Sequence, residues 1–196
     1  MDPLILVNFE NPCPDVIPGG MVCADTALAG VLTVAREGIW LDARCAAALA
    51  DMLEAARDEG VDGWILSSGY RDHDYQRRLY ERKLEQDPHY ADDPYAHPVA
   101  VMPPYVSEHA TGLAVDLTIQ GYESLEEDFA ATVQGIWLLR HCAAYGFILR
   151  YPADKESVTG VVYEPWHFRY VGSPEVAGYI MENGLCLEEY LAQLPE

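Results

Sequence analysis

Two short stretches of this chain carry residue types that do chemistry at fixed spacing. "SEHATGLAVD" runs from Ser107 to Asp116, and "EPWH" from Glu164 to His167. His109, Asp116 and His167 form a His-Asp-His set, and a catalytic zinc site uses three such ligands with one position left open. A bound zinc ion acidifies a water molecule to a pKa of about 7, so a base is needed beside it. Glu164 stands three residues before His167, with Pro165 stiffening the link, and suits a general base that later acts as acid. Developing negative charge needs a cation or hydrogen-bond donors. Arg71 follows "SSGY" at a strand end and is the candidate. The other histidines, His73, His89, His97 and His141, lack such company and read as ordinary structural residues.

The elements that must position these groups follow from periodicity and punctuation. The pattern of Asp42 to Glu59 is helical, with Asp42 as N-cap and Gly60 just past the end. "WILSS", Trp64–Ser68, is a short buried strand. A second helix starts near Asp72 and is ended by Pro88. Residues 87–106 are proline-rich without a period and read as a loop on a site rim. "GLAVDLTI" is a strand on which Ala114 and Asp116 share a face, and Gly112 permits the turn that brings His109 back over its start. Ser124 with Glu127 reads as a capping box for a long helix to Tyr145, closed by Gly146. "FILRY" and "GVVYEPWHFRYV" are further strands, the second interrupted at Pro165. Helices near 174–183 and 187–194 finish the chain. This order predicts an α+β fold: one small mixed domain over residues 1–196, with a central antiparallel sheet flanked by helices and the zinc site on the sheet. Residues 1–40 form an extended lead-in with one or two short strands, and 173–196 the C-terminal helices.

Composition limits the partners. With 12 basic and 32 acidic residues among 196, the formal charge is -20. Such a surface repels phosphate backbones and argues against nucleic acid. The apolar run near the N-terminus is only "LILV", without a basic flank, and no stretch is long enough to span a bilayer. Five cysteines without a CxxC pair fit reduced thiols. The expectation is a cytoplasmic chain.

These motifs resemble those of a known family. "SEHATGLAVD" is similar to the SxHxxGxAxD motif, "EPWH" to ExWH, and "SSGYRDHDYQ" to the SGYRxxxxQ segment, of the zinc D-alanyl-D-alanine carboxypeptidases of the VanY type. That family includes the dipeptidase/carboxypeptidases of the VanXY type, and the resemblance covers roughly residues 40–172. It implies Zn2+ on His109, Asp116 and His167, Glu164 as base and then acid, and Arg71 at the oxyanion. It further implies Ser107 and Gln76 at the terminal D-residue and its carboxylate, and Tyr151 lining the pocket. The implied substrates are peptidoglycan-precursor peptides and D-Ala-D-Ala, whose removal favours glycopeptide resistance. L,D-carboxypeptidases that trim tetrapeptides share the fold and ligands. Two further readings stand beside these: a zinc-containing binding module without turnover, and a partner-binding protein whose acidic surface is the point. The sequence does not set the oligomeric state.

Overall fold

The computed structural model describes residues 1–87, 90, 98–122 and 124–195. The lead-in holds β1 (Met21–Cys23), a one-turn helix α1 (Ala24–Ala27), β2 (Thr33–Val34) and β3 (Trp40–Asp42). β1 and β3 pair antiparallel as a small sheet of their own. Asp42 ends β3 and caps α2 (Ala43–Asp58), its carboxylate accepting from the Arg44 amide at 2.9 Å. The buried positions Cys45, Leu49, Met52, Leu53 and Ala56 recur at helical spacing and give α2 one apolar face.

β4 (Trp64–Ser68) follows, then α3 (His73–Gln86), capped by Asp72 through a 2.6 Å bond from the Tyr75 amide. Of the expected loop over 87–106, residues 88–89 and 91–97, including His89 and His97, lie outside the described residues. A 3-10 turn at Glu108–Thr111 leads through Gly112, at φ 73°, into β5 (Ala114–Ile119). Later come α4 (Val133–His141), β6 (Phe147–Leu149), a short α5 (Glu156–Thr159) and β7 (His167–Tyr170). α6 (Pro174–Glu182) and α7 (Leu187–Leu191) close the chain.

The main sheet has the order β2-β4-β5-β7-β6. Every pairing is antiparallel except that of edge strand β2, which runs parallel to β4. The fold is α+β, with the sheet antiparallel apart from that one edge. Strand alternation divides its faces. Val115, Leu117 and Phe168 point into the large core with α2 and Phe129. Asp116, His167 and Arg169 are the alternate positions and point to the other face. Part of that face is covered by a cluster of Ile148, Val171, Ala177, Ile180 and Leu187, from β6, the residue after β7, α6 and α7.

The long helix expected from Ser124 to Tyr145 is broken into three pieces. A 3-10 turn spans Glu127–Ala131, α4 starts after Thr132, and a second 3-10 turn spans Cys142–Tyr145 before Gly146. The cap is Thr132, not Ser124. Its hydroxyl accepts from the Gly135 amide at 2.9 Å and donates to the Phe129 carbonyl at 2.7 Å. The chain doubles back so tightly that a Cβ at Gly135 would overlap the Phe129 carbonyl oxygen. Burial of Phe129 forces this turn and outweighs the local capping-box signal. Thr132→Ala is expected to lower unfolding free energy by about 1 kcal/mol, whereas Ser124→Ala leaves it unchanged. Urea denaturation of both variants checks this, and equal losses would restore the longer helix.

Candidate active site

Strand register builds the site. Ser68 pairs with Asp116 across β4 and β5, and Asp116 with His167 across β5 and β7. Three side chains therefore stand in one row, at strand spacings of roughly 4.8 Å. His109 comes from the 3-10 turn before β5. Its ring is perpendicular to that of His167, with centroids 4.9 Å apart. Ligand atoms of His109, Asp116 and His167 all lie within 4.8 Å of one another.

Both rings are held from behind. His109 Nδ1 is 2.7 Å from the Gly69 carbonyl, so Nε2 turns to the cradle. A Cβ at Gly69 would come within 2.7 Å of the Trp40 carbonyl and of Leu41, so only glycine lets the chain approach β3 this closely. His167 Nε2 is 2.9 Å from Glu108 Oε1, which leaves Nδ1 for the cradle, 3.0 Å from Asp116 Oδ1. His109 Nε2 stands 3.3 Å from Asp116 Oδ2. Neither contact has the direction of a hydrogen bond, and His109 Nε2 and Asp116 Oδ1 are buried without a hydrogen-bond partner. Buried polar atoms are rarely left so, and a divalent cation resolves it. Two imidazole nitrogens and a carboxylate suit zinc, so the residues present fit that ion.

Burial and neighbouring charge set the site's titration. Burial, then the adjacent Arg71, push the His109 ring down to about 4, so it stays neutral. Burial also opposes charge on His167, but the carboxylates of Asp116 and Glu108 outweigh it and lift the ring to about 9. Burial works against ionised Glu108 as well, yet Arg169 and Arg150 hold it well below the usual carboxylate range. Glu164 is 6 % exposed, with Oε2 3.5 Å from His167 Nδ1. Burial raises its carboxyl to about 8, and a nearby dication draws such a value back down. A carboxyl poised near neutrality is matched to proton transfer in both directions.

Arg71 reaches the same cleft. Its Nη2 bonds Asp116 Oδ2 at 3.1 Å, its Nε bonds Ser68 Oγ at 3.0 Å, and its Nη1 bonds Gln76 Oε1 at 3.0 Å. Gln76 also donates to the Met102 carbonyl at 2.6 Å. Its amide thus fixes Arg71 with its oxygen and is partly spent on the backbone with its nitrogen. Ser107, Gln76 and Tyr151 all line a small cavity of about 30 Å³ beside His109, Glu164 and His167. The Tyr151 ring lies 4.8 Å from that of His167 and, buried, has its hydroxyl held well above the ordinary tyrosine range. The small cavity shares Arg71 and Glu164 with an open groove of about 440 Å³.

Sequence reasoning overlooked Glu108, Arg150 and Arg169. Glu108 Oε2 accepts from Arg150 Nε at 2.8 Å and Arg169 Nη1 at 2.9 Å, and all three residues are buried. The signal available was a glutamate beside a candidate ligand histidine; its cationic partners are distant in sequence.

A cradle fit for a metal on a sheet, with a buried carboxyl beside it and a small pocket next to it, suits a metallopeptidase. The chain belongs to the VanY family of D-alanyl-D-alanine carboxypeptidases, matched over residues 38–173. A D-alanyl-D-alanine carboxypeptidase of Enterococcus faecalis (strain ATCC 700802 / V583) is 38 % identical over 195 residues, covering 96 % of this chain and 65 % of that protein. The chain thus spans just under two thirds of that relative's length. Among solved structures, the LdcB LD-carboxypeptidase superposes with a TM-score of 0.83 at 34 % identity, covering 97 % of this chain and 86 % of that one. The vancomycin resistance D,D-pentapeptidase VanY, a mutant in complex with Zn(II), gives a TM-score of 0.75 at 35 % identity, covering 97 % and 99 %. No helix among the described residues is long and apolar enough to cross a membrane.

Two outcomes follow for metal binding. Glu108→Gln is expected to weaken zinc affinity roughly 10- to 100-fold, measured by chelator competition on the folded protein; unchanged affinity would mean that His167 needs no anchor. At pH 7 the metal-free protein carries protons on His167, at about 9, and Glu164, at about 8. A ligand must be deprotonated, so zinc binding is expected to release roughly one to two protons and to tighten as pH rises towards 9. Calorimetric heats that do not depend on the buffer's ionisation enthalpy would contradict this.

Proposed function

We propose that the protein is a zinc-dependent D,D-peptidase that removes the C-terminal D-alanine from peptidoglycan-precursor peptides and splits the D-Ala-D-Ala dipeptide. The observation that carries this reading is the pairing of the two spaces beside the cradle. The cavity of about 30 Å³ accepts a methyl-sized side chain and little more. The groove of about 440 Å³ on the other side of Glu164 and Arg71 is open and accommodates the rest of a longer peptide. A small space beside a large one suits cleavage of a single terminal residue.

His109, Asp116 and His167 would hold the zinc ion. When bound, zinc supplies Lewis acidity at a carbonyl oxygen and acidifies a water molecule at neutral pH. The chain's own residues do the rest. Ser107, 5 % exposed in the small cavity, offers a hydroxyl to the substrate's terminal carboxylate. Gln76 lies alongside and holds the Arg71 guanidinium in place through their 3.0 Å bond. Arg71 presents a fixed positive charge to the oxygen on which negative charge develops. Glu164 takes the proton from the attacking water and returns it to the departing amino group. Tyr151 walls the pocket behind His167 and excludes water. Removing D-Ala-D-Ala ends would strip glycopeptide antibiotics of their target. A cytoplasmic location belongs to the same reading and is supported by five free cysteines, with no disulfide among the described residues.

D-alanine release by the zinc-loaded protein tests this, with D-Ala-D-Ala, a pentapeptide ending in D-Ala-D-Ala, and a tetrapeptide ending in a single D-Ala as substrates. Release is expected from the first two. Glu164→Ala should lower it by roughly 10²- to 10⁴-fold with zinc retained. Release from the tetrapeptide alone would replace the D,D reading with L,D trimming.

A further inference from the structure

The groove leading away from the catalytic centre has an electrostatic character opposite to that of the protein. The chain carries 32 acidic and 12 basic residues. Yet among the described residues lining the groove, the only carboxylates are Asp116 and Glu164, both at the catalytic end. Beyond them the walls present Arg36, from the loop after β2, and Arg82 and Lys83, from α3. A cleft lined by one sign of charge concentrates ligands of the other sign.

These cations are also available. Lys83 is partly engaged, 3.6 Å from Asp87. Among the described residues, neither Arg36 nor Arg82 is in an ion pair, and both side chains are exposed to the groove. The Arg36 guanidinium sits 5.1 Å from the centroid of the Tyr75 ring, which also lines the groove. Stacking of this kind orients the guanidinium while leaving its edge N–H groups free to donate. Unpaired arginines are conspicuous on a surface with so many carboxylates to spare.

We propose that the groove is a subsite for an anionic oxygen group, a carboxylate or a phosphate, carried by the substrate on the amino side of the scissile bond. The proposal rests on the D,D-peptidase reading for the direction in which the peptide lies. Arg82 stands nine residues beyond the start of α3, about 14 Å along its axis, which an extended peptide covers in roughly four residues. A peptidoglycan stem offers such a group in the free α-carboxylate of its γ-linked D-glutamate. A nucleotide-linked precursor offers a diphosphate further out. The shared chemistry is a planar or tetrahedral oxyanion that accepts paired N–H groups.

The test is direct binding to Glu164→Gln protein in the presence of zinc, so that no turnover is required. Three ligands are titrated calorimetrically: a D-Ala-D-Ala pentapeptide with the D-glutamate α-carboxylate free, the same peptide with it amidated, and the amidated peptide joined to a uridine diphosphate sugar. The free acid is expected to bind roughly five- to tenfold more tightly than the amide, less so at high salt. The double variant Arg36→Glu with Arg82→Glu should abolish or invert that preference, with its melting temperature confirming the fold. A gain confined to the nucleotide-linked ligand would assign the subsite to phosphate. Equal affinity for all three ligands, unmoved by salt and by charge reversal, would overturn the proposal. Selective binding without D-alanine release by the unmodified enzyme would keep the subsite and remove the D,D-peptidase reading.

Discussion

The structure is organised around one buried carboxylate. Glu108 is 1 % exposed and lies between the guanidinium groups of Arg150 and Arg169, neither of which reaches solvent. Burying charge is costly unless each group is paired and hydrogen-bonded. Here the donors are spoken for. Arg150 also makes two bonds to Glu188, at 2.8 and 2.6 Å, and Arg169 donates to the carbonyls of Pro3 and Ile5 at 3.0 and 2.8 Å. Two carboxylates thus balance two guanidinium groups. The second oxygen of Glu108 is left to hold His167. A satisfied ionic cluster of this kind contributes little net stability, but removing one member leaves a buried charge uncompensated at a cost of about 3–5 kcal/mol. Its value lies in direction: it leaves the imidazole one orientation.

The two histidines of the cradle show how background alone separates chemically identical groups. The Nδ1 of His109 meets a neutral carbonyl, and burial with the charge of Arg71 keeps the ring neutral. His167 meets carboxylates on both nitrogens and holds its proton well above neutrality. Glu108 therefore has two effects on the same ring. It fixes the geometry that a metal needs, and it makes the free ring a better base for proton and metal alike. A metal must displace that proton, so pH and metal supply act on the same atom.

The helices and strands carrying local signals were legible in the sequence. Asp42 and Asp72 are caps, α2 shows a regular apolar face, and Trp64–Ser68 is a strand. The cradle was legible because its ligand types fall at distinctive spacings. What could not be read depends on distance along the chain. Glu108 is 42 residues from Arg150 and 61 from Arg169, so nothing local marks it as a tether. Ser124 looked like a cap because the rule is local, whereas the burial of Phe129 that moves the cap to Thr132 is tertiary. The bond of Gln76 to Arg71 requires knowing how α3 packs against β4. The row of Ser68, Asp116 and His167 likewise exists only once the strand register is set.

The bonds from Arg169 to the carbonyls of Pro3 and Ile5 join β7 to a segment more than 160 residues earlier, and Glu188 brings α7 into the same cluster. Such contacts have high sequence separation and pay their loop-closure entropy late. During synthesis Pro3 and Ile5 leave the ribosome long before Glu188 does, and must wait for it. The tether on His167 is therefore complete only after Glu188 has emerged. A nascent or C-terminally truncated chain can form α2 and β4 from local signals but lacks the clamp that orients a metal ligand. Competence to bind metal thus reports that synthesis has passed α7, and the geometry acts as a check on that stage.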